Sequence, residues 1–166
     1  LIADGNPITL AGVFTPPELL GLSLVGCQLS GTLHLDGFVP TTLQSLHVSS
    51  NLITSVVWCS SCQLISFNAS NNAIQSLTGT PPNTLSTLVL GQNQIISGLS
   101  GLQLQYLDIS YNQLQTLPDI NFLPNGQLVA HHNLITTLLP GDLSSTISSV
   151  DLGYNQITAV GDLSNV

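Results

Sequence analysis

The chain has 166 residues, 43% of them hydrophobic, and it contains no lysine or arginine against 8 Asp and Glu, for a net charge of -8. That mass suffices for one domain with a buried core, and the apolar content is too high for a disordered chain. The missing cations exclude phosphate neutralisation, so nucleic acid and anionic membranes are poor partners; they also exclude Schiff-base lysine, arginine clamps and phosphate-loop chemistry.

No apolar run approaches the roughly 18 residues of a membrane span. The chain starts at Leu1, with neither an initiating Met nor a basic-then-apolar leader, so it is expected to be a mature, excised or incomplete sequence. The lack of cations has two readings. One is adaptation, outside the cell, to acid or to proteases that cut at basic residues. The other is drift in a Ser/Thr-rich repeat surface.

Taken in chain order, one pattern recurs. "LIADGNPI" opens the chain and matches the second half of a unit, with Asn6 as its anchor. "LLGLSLVGCQL", Leu19 to Leu29, follows with Cys27 at the anchor, and "SGTLHLDGF" adds a few residues before the next unit. "LQSLHVSSNLI", Leu43 to Ile53, carries Asn51, and "LISFNASNNAI", Leu64 to Ile74, carries Asn72. "LSTLVLGQNQI", Leu85 to Ile95, carries Asn93, and "LQYLDISYNQL", Leu104 to Leu114, carries Asn112. "NGQLVAHHNLI", Asn125 to Ile135, carries Asn133 and puts Asn125 where the first Leu is expected. "ISSVDLGYNQI", Ile147 to Ile157, carries Asn155, and "VGDLSNV", Val160 to Val166, reads as the approach to another turn. From Asn51 onward the anchors are 21, 21, 19, 21 and 22 residues apart.

Each unit reads L-x-x-L-x-L-x-x-N-x-L, and this resembles the leucine-rich repeat family over nearly the whole chain. "PTTL" and "PPNTL" are similar to the short bacterial-type repeats of about 21 residues. The resemblance implies one leucine-rich repeat domain over 1–166, about seven and a half repeats, an α/β-class solenoid of short parallel strands with an extended or loop-built convex side and little helix. The residues agree: about ten remain after each Asn, they include Gly and Pro, and they show no helical period. The L-x-L core makes a strand whose aliphatic side chains enter the solenoid while the x residues face the concave side. The ladder residues Asn6, Cys27, Asn51, Asn72, Asn93, Asn112, Asn133 and Asn155 turn inward to bond backbone groups of neighbouring turns. A thiol is small enough to take the place of Asn at Cys27. One turn cannot bury its own apolar face, so both end coils are expected to be covered, by flanking sequence or by another copy stacked head to tail.

"WCSSC" at Trp58 to Cys62 has the spacing of a thioredoxin-like redox site. Such a site needs a helix N-terminus after a strand, and the repeat frame instead places these residues on the convex return. Cys59 and Cys62 are expected to be structural, as a short-range disulfide or as two free thiols, with Trp58 covering the convex edge of the core. "NAS" makes Asn68 an N-glycosylation acceptor pattern in the middle of the concave face. His34 and His47 read as ordinary exposed residues.

Aligned by register, the concave positions are richest in the C-terminal third. Tyr111, His132 and Tyr154 fall in adjacent turns, with Asp108, His131 and Asp151 beside them. Aromatics with acceptors on a strand face suit a sugar or a peptide; the plainer alternative is side chains that tolerate an exposed strand. No nucleophile or oxyanion device is identifiable, so no catalytic residue, cofactor or metal is expected. The expected role is that of a non-enzymatic extracellular or cell-surface protein, a glycoprotein if Asn68 is used, acting by protein binding or structural self-assembly. The alternative is a carbohydrate- or peptide-binding receptor domain that uses the Tyr/His/Asp patch.

Overall fold

Alternating aliphatic and polar residues make short strands whose inward side chains share one core. The computed structural model describes residues 1–9, 16–37, 39–139 and 141–161. Its strands are β1 (Gly21–Ser23), β2 (Ser30–His34), β3 (Ser45–His47), β4 (Leu52–Val57), β5 (Ser66–Asn68), β6 (Ser76–Thr78), β7 (Thr87–Val89), β8 (Leu102–Asp108), β9 (Ile120–Val129), β10 (Thr137–Leu138), β11 (Ile147–Asp151) and β12 (Ala159–Val160). Among the described residues there is no helix, and hence none long and apolar enough to cross a membrane.

The chain coils into a parallel solenoid. One sheet runs β1-β3-β5-β7-β8-β9-β11, and the bridge between Ile2 and Ser23 adds the first coil to it. Its register stacks like on like: Leu22, Leu46, Phe67, Leu88, Leu107, Leu128 and Val150 pair in succession. Leu46, Phe67, Leu88 and Leu107 are at most 1% exposed. Each such side chain contributes about 2 kcal/mol through removal from water. No single coil supplies both walls of its own core, so stability depends on neighbours stacking.

The extended return side is partly regular sheet. β2, β4 and β6 pair in parallel, because a second inward row, Leu33, Val56 and Leu77, repeats there at the same register. β10 and β12 form a second short pair further along.

Two expectations are corrected here. Trp58 does not cover an edge: it is 5% exposed and meets Phe67 edge to face at 5.4 Å, so its indole is part of the core between the two sheets. The β4 strand carries it inward, since Val56 and Trp58 lie on the same side of the pleat. Nor does Asn125 occupy the place of the first Leu. Leu104 pairs with Phe122, which is buried, and the register then shifts so that Tyr106 pairs with Gln127. A large ring three residues upstream fills the space that Asn125 would leave polar, and 123–126 bulge outward with Asn125 at φ 62°. Gly126 makes the bulge possible, because a Cβ there would stand 2.6 Å from Phe122 Cβ.

Cys59 and Cys62 are joined by a disulfide, and both are nearly buried. His34 and His47 are exposed. In the coil of Ile147 to Ile157 the inward residues Val150, Leu152 and Ile157 are only partly buried, whereas Leu88, Leu90 and Ile95 are fully enclosed. Of the closing stretch "VGDLSNV", residues 162–166 lie outside the described residues.

Candidate recognition site on the seven-stranded face

Each strand of this face ends in a turn built on the anchor and the residue before it, and in three coils also on the residue four before it. The anchor fills the interior. Asn93 Nδ2 donates to the carbonyls of Ala69 (3.0 Å) and Leu90 (2.9 Å), and its Oδ1 accepts the Ile74 N–H (2.9 Å). Asn112 and Asn133 repeat this on the following coils. Asn51 and Asn72 do so on the preceding ones, and Asn155 on the last. A carboxamide is needed because the site calls for both a donor and an acceptor. The Cys27 thiol supplies only the donor, 3.2 Å from the Ala3 carbonyl. The Ile8 N–H then turns to the Cys27 backbone carbonyl at 3.1 Å. Asn6 is exposed and, among the described residues, its side chain bonds only within its own turn, to Ala3 and Asp4.

The residue before each anchor is left-handed in every coil. Gly5, Gly26, Ser50, Asn71, Gln92, Tyr111, His132 and Tyr154 have φ between 52° and 71°. The N–H groups of Gly5 to His132 in this series each bond a carbonyl of the next coil, which holds the row in line. The alignment brings the C-terminal rings together. His132 stacks on Tyr111 at 4.2 Å and 17°, and on Tyr154 at 4.3 Å and 25°. The His131 ring stands edge-on to Tyr111 at 5.1 Å. His131 Nδ1 and His132 Nδ1 are 2.9 Å apart, so one of them carries the proton and donates it to the other.

In three coils the residue four before the anchor caps the turn. Asp108 Oδ1 accepts the Ser110 N–H (2.9 Å) and the Ser110 hydroxyl (2.6 Å), and Asp151 Oδ1 accepts the Gly153 N–H (2.9 Å). Asn68 Oδ1 does the same for Ser70, at 3.0 and 2.8 Å. Both bonds of Asn68 use Oδ1, so a glycan on Nδ2 leaves this cap in place. The capping role was missed in the sequence, although the signal is there: Asn68-x-Ser70, Asp108-x-Ser110 and Asp151-x-Gly153 share the spacing of a side chain that bonds the backbone two residues on. Burial, and then the charge of Asp108, raise the pKa of the Tyr106 phenol on the same strand. At the other end of the face, Asp4 Oδ1 accepts bonds from the Ser23 hydroxyl and the Val25 N–H. These bonds lower its pKa.

The candidate site residues thus form two groups. Tyr111, His132, Tyr154 and His131 are in ring contact. Asp108 and Asp151 lie on β8 and β11 with Val129 of β9 between them in register. A depression of about 410 Å³ joins Ser70, Gly91, Asp108, Ser110, Tyr111 and His131. A separate hollow of about 360 Å³ at Pro81, Pro82, Leu85 and Gln103 has no ionisable side chain in its lining. Among the described residues no group of three or more His, Cys, Asp or Glu is arranged to hold a metal ion.

Known proteins resemble parts of this chain. A family model described as Leucine Rich Repeat matches residues 103–124, and another described as Leucine Rich repeat matches 143–161. Toll-like receptor 2 of Homo sapiens is 37% identical over 92 residues, covering 53% of this chain and 12% of that protein. Toll-like receptor 2 of Bison bison is 37% identical over 121 residues, covering 68% of this chain and 15% of that protein. The chain therefore spans between 12% and 15% of the length of these curated relatives. A crystal structure of TLR13 in complex with ssRNA13 superposes with a TM-score of 0.55 at 23% identity, covering 82% of this chain and 25% of that one. The recurring L-x-x-L-x-L-x-x-N-x-L unit, the Asn ladder that joins its coils and the parallel solenoid they build place the chain in the leucine-rich repeat family.

Proposed function

We propose that the chain is a non-enzymatic recognition module that takes a polypeptide partner on the C-terminal half of its seven-stranded face. The observation that carries this is the ring row Tyr111–His132–Tyr154. The turn needs only a positive φ, which Gly5, Gly26 and Asn71 supply at little cost. Large rings at the same turn are costlier in backbone energy, and strain of this kind gathers where a surface is used. The row presents ring edges and hydroxyls, the amphipathic chemistry that protein interfaces concentrate.

A sugar fits the row less well. A pyranose stacks on an open ring face, and His132 has a ring on each of its faces. Open faces are left at the two ends of the row, on Tyr154, 80% exposed, and on Tyr111, 46% exposed. The ssRNA of the TLR13 complex belongs to that protein, and this chain has no Lys or Arg to set against phosphates. Catalysis lacks support too: the Ser110 hydroxyl donates to Asp108 and not to a histidine, so it is not an activated nucleophile. The Cys59–Cys62 disulfide supports an oxidising compartment, extracellular or cell-surface.

The test is selection of a random peptide library on the wild-type chain, with a Tyr111→Ser/Tyr154→Ser double variant as counter-target and a glycan array alongside. Enriched peptides that fail on the variant support the reading. Glycans lost with Tyr154→Ser alone move it to the sugar. No retained peptide, together with concentration-dependent sedimentation, replaces it with self-assembly.

A further inference from the structure

Given the recognition role proposed above, on which this rests, we infer that the partner is an extended polypeptide bearing two basic side chains three residues apart, one for Asp108 and one for Asp151. The fold does not need a charge at these positions: Val89 and Val129 hold the same register on neighbouring strands. Asn68 caps the Ser70 turn with the same two bonds that Asp108 gives the Ser110 turn. The negative charges at Asp108 and Asp151 are therefore surplus to the turn, and the caps engage only Oδ1 of each carboxylate.

The surroundings favour a cation. Asp108 opens into the 410 Å³ depression, with Tyr111 and His131 on its wall. A ring beside a carboxylate receives a guanidinium or ammonium on both counts. Gly91 leaves room for the neighbouring cap: a Cβ there would stand 3.0 Å from Ser110 Oγ and 3.1 Å from Asp108 Oδ1. The chain has no Lys or Arg to neutralise either acid. The basic group that shares the depression with Asp108 is His131, whose Nδ1 is engaged with Nδ1 of His132. The net charge of -8 steers a basic partner toward the chain as a whole.

Spacing narrows the class further. Asp108 pairs with Val129 and Val129 with Asp151, so the carboxylates lie two strands apart, about 10 Å. A polyproline-type segment repeats its side-chain direction every three residues over about 9 Å. Such a segment, laid across β8, β9 and β11, brings every third side chain over an acid.

The experiment is fluorescence anisotropy at neutral pH with three labelled proline-rich peptides. One has Arg at its first and fourth positions, one has Gln at both, and one has two adjacent Arg. The spaced Arg peptide is expected to bind about tenfold more tightly than the Gln peptide, with the advantage shrinking as salt rises. Asp108→Asn/Asp151→Asn should abolish the advantage while keeping the far-ultraviolet circular dichroism of the wild type, since Asn already serves at position 68. Equal binding of the Arg and Gln peptides, with both lost in Tyr111→Ser/Tyr154→Ser, overturns the cationic class and leaves the recognition role standing. Equal binding of the spaced and adjacent Arg peptides overturns the spacing. If none of the three binds, the inference falls, and the library selection then decides the recognition role separately.

Discussion

The two halves of the seven-stranded face share a backbone and differ in what they hang on it. In the N-terminal half the left-handed row is Gly5, Gly26, Ser50 and Asn71; in the C-terminal half it is Gln92, Tyr111, His132 and Tyr154. Gly5, Gly26 and Asn71 of the first set are residue types that a positive φ prefers, whereas Gln92, Tyr111 and Tyr154 of the second are not. The ladder beneath is the same in both, with Asn51 and Asn112 making matching bonds. The difference separates what the coil requires from what this chain has added. The ladder is structural throughout, while the rings are an addition confined to one half.

The largest expected effect tests the shared part. Asn93→Ala strips two donors and an acceptor from buried backbone groups and should lower unfolding stability by roughly 1–3 kcal/mol in urea titration. Gln92→Ala, one residue away and exposed, should change almost nothing. Asn51→Ala and Asn112→Ala should cost similar amounts; a several-fold disparity would break the claim that both halves rest on one ladder.

The next effect tests the added part. Asn71→Tyr places a ring in the left-handed row with no ring beside it, and should cost about 1 kcal/mol. Tyr111→Asn regains that backbone term but loses the His132 stack, leaving a net change under about 1 kcal/mol. If Asn71→Tyr is neutral, the rings carry no conformational cost and that support for the recognition site is gone.

Smaller still are the caps. Asp108→Ala should cost about 1 kcal/mol, because the Ser110 N–H and hydroxyl lose their acceptor. Asp108→Asn and Asn68→Asp should each stay within about 0.5 kcal/mol, surface changes that keep the oxygen. A large loss in Asp108→Asn would show that the turn needs the charge, and would remove the surplus on which the cationic partner is argued.

The smallest effect is a titration at the N-terminal end of the face. Bonds from Ser23 and Val25 lower the folded pKa of Asp4 below its unfolded value. Its contribution is therefore fully present above the unfolded value and is lost as pH falls through the folded one, at the acid end of the carboxylate range. Carboxyl chemical shifts followed by NMR should show Asp4 titrating below the ordinary aspartate value. Ser23→Ala should move Asp4 upward, and no movement would mean that the hydroxyl bond is absent in solution.

Much of the fold was legible because the repeat states its own register. Leu46, Leu88 and Leu107 had to face inward together, and each Asn had to reach the coil beside it, once the period near 21 was seen. The exceptions were less legible for a physical reason. Asn125 sits at the proper spacing, but position alone does not reveal that a bulge hands its place to Phe122. Trp58 looked like an edge residue because the pairing of β4 with β2 and β6, which turns it inward, is a contact between distant coils.

The sequence by itself determined the coil, its period, the inward rows and the ladder, because these follow from alternation and from one residue type recurring at a fixed step. Only the tertiary structure decided how the face is finished. The positive φ of Tyr111 and His132 and the stacking of their rings depend on carbonyls offered by the next coil. The pairing of Asp108 with Asp151 across Val129 depends on the register of three strands that are remote in sequence. Backbone hydrogen bonds between coils, whose register no local pattern encodes, turn a list of exposed residues into a surface.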